Sequence, residues 1–364
     1  AECGSVPNAF PGGFGVNAEN ARRFSELWGA PVPSAPGLSA PEMLDAAQRG
    51  ALDLLWCAGG NFLDTMPEPE RMRAALERVP LRIHQDLFLN SSMLVAPREA
   101  VLLLPAMTRY EQLGGGTITS TERRIRFSPE IPGPRIGEAM CEWEIFMRAA
   151  EAALPPEKRY LIHFENAAAI RAEMERVMPM YAGIGSLCHE GESVQYGGQL
   201  LCANGVCANL PGARALFSPL SPPPLELFDA RVAATKRGHA GSSSLTPDLR
   251  TLTPFYLTTR RGKQFNSMLW SARDPLTGST RRDEIFISPE DAHRLGLRDA
   301  DRVVLRSMAS NPATHEMRGV VRIAPVKSGT LQAFWPEANV LISSRLDPAS
   351  HEPDYNAWVT IEPV

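Results

Sequence analysis

Apolar and polar positions follow two textures along the chain. Up to about residue 180, stretches of helical spacing alternate with short apolar runs of strand length. Near the start one short helix fits Ala21 to Trp28, within a segment punctuated by Pro11-Gly12-Gly13 and Pro31 to Pro33. Pro41 to Gly50 and Glu68 to Val79 read as helices. Leu52 to Cys57, Leu81 to Gln85 and Val101 to Leu104 read as strands. The uninterrupted apolar character of the last predicts burial on both faces. Helix, strand, helix, strand, strand predicts an α/β fold with a doubly wound, mainly parallel sheet.

Two further helices follow. Cys141 to Leu154 is amphipathic and stops at Pro155-Pro156, and Asn166 is an N-cap for a helix that ends at Met178, before Pro179. From Gly183 to Pro224 glycine and proline dominate, and Gly238 to Ser244 resembles an exposed linker.

After Thr253 strand-like runs recur between turn signals: Phe255 to Thr259, Glu284 to Ile287, Arg302 to Ser307, Gly319 to Ala324, Thr330 to Phe334 and Trp358 to Glu362. A short helix fits Pro289 to Leu295 behind a Ser288 cap. The pattern predicts a small β-barrel of mostly antiparallel strands. The expected division is a loop-rich opening segment over 1–40, an α/β domain over 41–160, a helical and irregular connection over 161–250 and a β-barrel domain over 251–364.

Composition narrows the functional classes. The 37 basic and 41 acidic residues leave a net charge of −4, which argues against nucleic acid or an anionic membrane surface as partner. No apolar run approaches the ~20 residues of a membrane helix, and no signal peptide opens the chain. The first residue is Ala1 rather than Met, which suggests a processed or excerpted N-terminus. Six cysteines spread over 364 residues do not make a disulfide scaffold and point to a reducing, cytoplasmic setting. The 32 prolines imply many loops and argue against a helical bundle.

Three segments carry candidate chemistry, each with a plainer alternative. Gly59-Gly60-Asn61 follows a strand at its C-terminal end, where an open α/β sheet binds ligands and glycine admits a pyrophosphate or ribose close to the backbone. It also suits a simple strand-to-helix turn. Leu113 to Phe127 joins three glycines to hydroxyls and to Glu122, Arg123 and Arg124, which suits an anionic nucleotide or pterin phosphate, or a solvated hairpin. Thr258 to Asn266 groups three cations, two amides and two hydroxyls, enough to hold phosphate and read a purine edge, or to form a basic surface turn.

Other signatures are missing. There is no GxxxxGK[ST], no GxGxxG and no GxSxG. His189-Glu190, His315-Glu316 and His351-Glu352 complete no HExxH and read as surface pairs. Cys188, Cys202 and Cys207 lack the spacing of a metal cluster and read as structural thiols.

The blocks GGNFLDTMPEPE, HQDLFLN, LLLPAMTRYE and GGGTITSTERRIRFSPEIPGPRIGEA strongly resemble molybdopterin-dependent oxidoreductases, in particular formate dehydrogenase alpha-subunit-like proteins. YLTTRRGKQFNSM, SPEDAHRLGLRDADRVVLRS, GTLQAFWPEANVLI and EPDYNAWVTIEP are similar to that family's C-terminal dinucleotide-binding domain. The resemblance runs from Asn8 to Val364, with the blocks in family order.

It implies a bis(molybdopterin guanine dinucleotide) cofactor carrying molybdenum or tungsten. Carried over block by block, Gly59, Gly60 and Asn61 would line a guanosine site, with Gln85 and Asp86 contacting the nucleotide. Thr121, Glu122 and Arg123 match the loop after the family's VLP block. Thr259, Arg260, Gln264, Asn266 and Met268 match the first cofactor-facing loop of the barrel, Asn339 and Leu341 a segment approaching the pterin, and Tyr355 the last contact. Tyr355-Asn356 departs from the Tyr-Lys of many relatives.

The family's metal-ligating cysteine or selenocysteine and its iron–sulfur cysteines lie in an N-terminal half with no counterpart here. The resemblance therefore implies the C-terminal half of an enzyme oxidising formate or a similar small substrate, with no catalytic or metal-ligating residue of its own. Its implied partners are an N-terminal catalytic half or subunit and a redox electron-acceptor protein. A non-catalytic module that binds or carries the cofactor is the alternative.

Overall fold

The computed structural model describes residues 9–198, 204, 217, 219, 254–262, 271–308, 315–344, 346 and 357–364. In chain order the first elements are strands β1 (Ala9–Phe10) and β2 (Phe14–Gly15), then helices α1 (Ala18–Trp28) and α2 (Ala40–Gln48). β3 (Leu54–Ala58), α3 (Phe62–Thr65), α4 (Pro69–Arg78), β4 (Leu81–Asp86) and β5 (Ala100–Pro105) come next. They lead to β6 (Gly116–Ser120), β7 (Arg124–Ser128), α5 (Glu142–Ala153), α6 (Ala167–Val177) and β8 (Ser193–Gln195). The last group is β9 (Phe255–Arg260), β10 (Glu284–Ile287), α7 (Pro289–Leu295), β11 (Arg302–Ser307), β12 (Glu316–Ile323), β13 (Thr330–Phe334) and β14 (Ala357–Pro363).

β3, β4 and β5 form a parallel sheet in sequential order. Leu55 and Cys57 of β3 point to the side where α2 and α4 contribute Leu44, Ala47, Met72, Ala75 and Leu76 to a buried cluster. On the other side Trp56 stacks on Phe146 of α5, with ring centres 4.9 Å apart. The expected double winding needs a reversal of strand order, and the described residues contain only this single sequential run. The burial expected for Val101 to Leu104 is corrected: Leu102 is 47% exposed and Leu103 44%. The two alternate across the strand, so neither face of β5 is covered at these positions.

A second core joins distant parts of the chain. Asn17 accepts the Asn20 N–H at 2.9 Å and starts α1, which buries Ala21 and Phe24. Phe24 stacks on Phe10, and both pack with Ile125 and Phe127 of β7, with Val177 at the end of α6 and with Tyr181 and Ile184 beyond it. β6, β7 and β8 form an antiparallel sheet, so the glycine-rich Leu113 to Phe127 stretch is a hairpin. Its entry is tight. Gly115 has φ +69°, and a Cβ there would lie 2.7 Å from the Ser128 carbonyl oxygen.

β9 to β14 close into a six-stranded barrel in the order β10-β12-β11-β14-β9-β13. Its strands alternate inward apolar residues, including Phe255, Leu257, Ile285, Ile287, Val303, Leu305, Leu331 and Val359, around one core. The pairings are mostly antiparallel, as expected, but β10–β12 and β9–β13 are parallel. Closure brings β12 against β10 so closely that a Cβ on Gly319 would lie 2.6 Å from the Asp283 carbonyl. Among the described residues no helix is long and apolar enough to cross a membrane.

Candidate cofactor-binding site

The C-terminal ends of β3 and β4 make a crest. Gly59 and Gly60 follow β3 with φ of +72° and +85°, a region that favours glycine. The Gly59 N–H donates to the Gln85 carbonyl at 2.7 Å, which ties the two strand ends together. Neither glycine has anything within 4 Å of where a Cβ would sit, so the backbone faces open space.

Asn61 is fully employed in shaping this crest. Its Nδ2 donates to Asp64 Oδ2 at 2.6 Å and to Ser91 Oγ at 2.9 Å, and its Oδ1 accepts from Ser92 Oγ at 2.6 Å. Gln85 donates its amide to Glu142 Oε1 at 3.1 Å, while its Oε1 is buried without a partner. Asp86 accepts the Leu87 N–H at 2.7 Å and Asn90 Nδ2 at 3.1 Å. Open glycine backbone beside an orphaned amide oxygen and a carboxylate fits the donor-rich edge of a guanine and its ribose. The residues present therefore fit a nucleotide.

Beneath the crest β4 carries Arg82 and His84, both completely buried. Arg82 donates to the carbonyls of Ser92 and Val95, so this cation anchors the loop behind the crest. Burial pushes the His84 imidazole below its usual range, the Arg82 charge adds to the effect and Asp86 opposes it. Burial likewise pushes the Cys57 thiol up to about 11, with Arg82 working the other way, and raises Cys141. Both thiols stay protonated at neutral pH, which suits packing and not metal ligation.

The other sequence-predicted residues are more scattered. Thr121, Glu122 and Arg123 form the exposed tip of the β6–β7 hairpin, where Arg123 has φ +60°. Its Nη1 donates to the Tyr196 carbonyl at 2.6 Å and the Gly198 carbonyl at 3.3 Å, which ties the hairpin tip to the end of β8. Thr259 is exposed on β9. Arg260 pairs with the completely buried Asp274 at 2.5 Å and lies over Phe286 and Phe334. Leu341 belongs to the barrel core. Gln264, Asn266, Met268 and Tyr355 lie outside the described residues.

Asn339 does something the sequence did not signal. Its Nδ2 donates to the carbonyls of Asp64 at 3.0 Å and Thr65 at 2.8 Å, at the end of the helical turn that follows the glycine crest. Glu68 reinforces the seam, its Oε1 accepting the Ser344 N–H at 3.0 Å and lying 3.9 Å from His315 Nε2. His315 is buried here, which corrects its expected place at the surface. The barrel and the crest thus share one contact zone. A dinucleotide is long enough to touch both.

The comparisons with known proteins point the same way. The family model described as the molydopterin dinucleotide binding domain matches residues 255–359, the span of the barrel. The F420-dependent formate dehydrogenase 1 subunit alpha of Methanococcus maripaludis is 33% identical over 184 residues, covering 50% of this chain and 25% of its own. Protein YdeP of Shigella flexneri is 26% identical over 369 residues, covering 95% of this chain and 44% of its own. Acetylene hydratase from Pelobacter acetylenicus shares the fold, with a TM-score of 0.54 at 12% identity over 91% of this chain and 47% of that one. The chain spans less than half the length of each of these relatives. The barrel thus matches the molydopterin dinucleotide binding domain, and half of the chain is similar to the alpha subunit of a formate dehydrogenase.

Proposed function

We propose that this chain is the cofactor-holding C-terminal part of a molybdenum or tungsten oxidoreductase that oxidises formate or a similarly small substrate. Its cofactor is bis(molybdopterin guanine dinucleotide). The observation that carries this reading is the Asn339 seam, which joins the family-matched barrel to the glycine crest. The bound group supplies the two-electron chemistry. The residues of this chain anchor and orient it: Gly59 and Gly60 let a nucleotide approach the backbone, and Gln85 and Asp86 offer acceptors to its edge. Thr259 and Arg260 end β9, the first strand of the barrel, and Arg260 is held there by Asp274.

The metal-ligating residue belongs, on this reading, to an N-terminal catalytic half or subunit, with a redox protein as electron acceptor. The β5 face supports such a partner. Parallel strands are normally covered on both sides, yet Leu102 and Leu103 are open, and Leu87, Phe88 and Leu89 extend the exposed apolar surface beyond β4.

The test is to purify the chain with its native partner from a cofactor-competent host. Metal content, pterin fluorescence after denaturation and formate-dependent dye reduction are then measured. The proposal expects molybdenum or tungsten, pterin and turnover together. Pterin without turnover would favour a cofactor carrier, and a complex without pterin would refute the assignment.

A further inference from the structure

Away from the crest, a tight turn joins the helical turn Ile184–Ser186 to β8. Glu192 folds back over it, its Oε2 accepting the N–H of Cys188 at 2.7 Å and of His189 at 2.8 Å. Those two backbone hydrogen bonds hold the Glu192 carboxyl below the usual carboxylate range. The carboxyl also lies beside the Cys188 side chain. The turn therefore projects three different ligand types to one side, and their ligand atoms all lie within 4.8 Å of one another. Cys188 and His189 are exposed, so an ion reaches them directly from solvent.

From these positions we propose that Cys188, His189 and Glu192 bind a single divalent transition-metal ion of the zinc class. Tetrahedral zinc, with bonds of ~2.0–2.3 Å, separates its ligands by roughly 3.3–3.8 Å. The observed spacing comes within that range by side-chain rotation, with the backbone already fixed by Glu192. One sulfur, one imidazole nitrogen and one carboxylate oxygen select a borderline ion over calcium or magnesium, which take oxygen ligands. Cys188 binds as the thiolate and its proton leaves to solvent.

The charge count also permits it. A thiolate, a carboxylate and a neutral imidazole cancel a divalent charge. The filled site then sets no net positive charge against Arg171, a guanidinium of α6 that is 5% exposed and interacts electrostatically with Cys188. Three protein ligands leave a fourth position to water, and the ion clips the turn that leads β8 onto β7.

The inference is independent of the pterin site, and its test reads the metal directly. The full chain is stripped with a chelator and titrated with Co²⁺, then with Zn²⁺ as competitor. One equivalent of Co²⁺ is expected to give a thiolate-to-cobalt charge-transfer band and tetrahedral visible bands, both abolished by Zn²⁺. Cys188→Ser removes the charge-transfer band, and His189→Ala and Glu192→Gln each weaken affinity by at least roughly tenfold. Glu192→Gln keeps an acceptor for the two N–H groups, so its melting temperature without metal serves as the folding control. No stoichiometric Co²⁺ binding overturns the proposal. So does a charge-transfer band that survives Cys188→Ser, or affinity unchanged in both His189→Ala and Glu192→Gln.

Discussion

Asn339 of the barrel reaches across to Asp64, donating its amide to the Asp64 carbonyl at 3.0 Å and to the neighbouring Thr65 carbonyl at 2.8 Å. The Asn339 side chain is 1% exposed. Asn339→Ala removes two half-buried hydrogen bonds, at a cost of about 0.5–1.5 kcal/mol each. Asn339→Asp replaces the donor with a carboxylate facing those carbonyls and costs at least as much. Chemical denaturation measures the loss. Hydrogen exchange localises it, with faster exchange at residues 62–66 and 337–342 than in the parent.

Arg260 and Asp274 make the second prediction. Asp274 is completely buried, the Arg260 side chain is 19% exposed and lies over Phe286 and Phe334, and Asp274 also accepts Thr277 Oγ1 at 2.6 Å. Asp274→Ala strands a desolvated guanidinium and should cost about 3–5 kcal/mol. The exposed Arg281–Asp283 pair is the control, and Asp283→Ala should change stability by about 0–1 kcal/mol. Parallel urea melts compare the two.

Much of the barrel was legible in the sequence because local signals agree there. Glu284–Ile287, Arg302–Ser307 and Thr330–Phe334 are strands as expected, and the Ser288 hydroxyl accepts the Asp291 N–H at 3.0 Å to start α7. The parallel pairings of β10 with β12 and β9 with β13 were not legible, since they arise from barrel closure between segments distant in sequence. At β5 an apolar run was equated with burial, but cover depends on what lies over the strand. The candidate site divides similarly. Gly59, Gly60, Asn61, Gln85 and Asp86 converge because parallel strands bring their C-terminal ends together. Arg123 shows what residue type cannot reveal, because its Nη1 is directed to the carbonyls of Tyr196 and Gly198.

His84 gives a pH dependence with a definite sign. Its folded imidazole titrates below the ordinary value, chiefly through burial and then through Arg82. The unfolded chain therefore takes up a proton near the usual ~6.5 while the folded chain does not. Stability should fall as pH drops below about 6.5, by at most about 1.4 kcal/mol per pH unit from this group. Acidic groups lose stability at lower pH, so the difference between parent and His84→Gln isolates the limb. Melts between about pH 5 and 7.5 should show a shallower decline in the variant.

Gly60 separates binding from folding. No atom lies within 4 Å of a Cβ placed there, so Gly60→Ala meets only the strain of its positive φ, about 1–3 kcal/mol, and leaves the barrel untouched. The added methyl group projects into the space assigned to the nucleotide. Retention of pterin should drop while far-ultraviolet circular dichroism at 25 °C stays that of the parent.

The most direct measurement is the guanine nucleotide released by mild acid hydrolysis from the purified chain in complex with its native partner. The account predicts GMP in a molar ratio of about two per metal ion, with matching pterin, and a marked fall in both for Gly60→Ala. A folded complex from a cofactor-competent host that releases neither GMP nor pterin would contradict it.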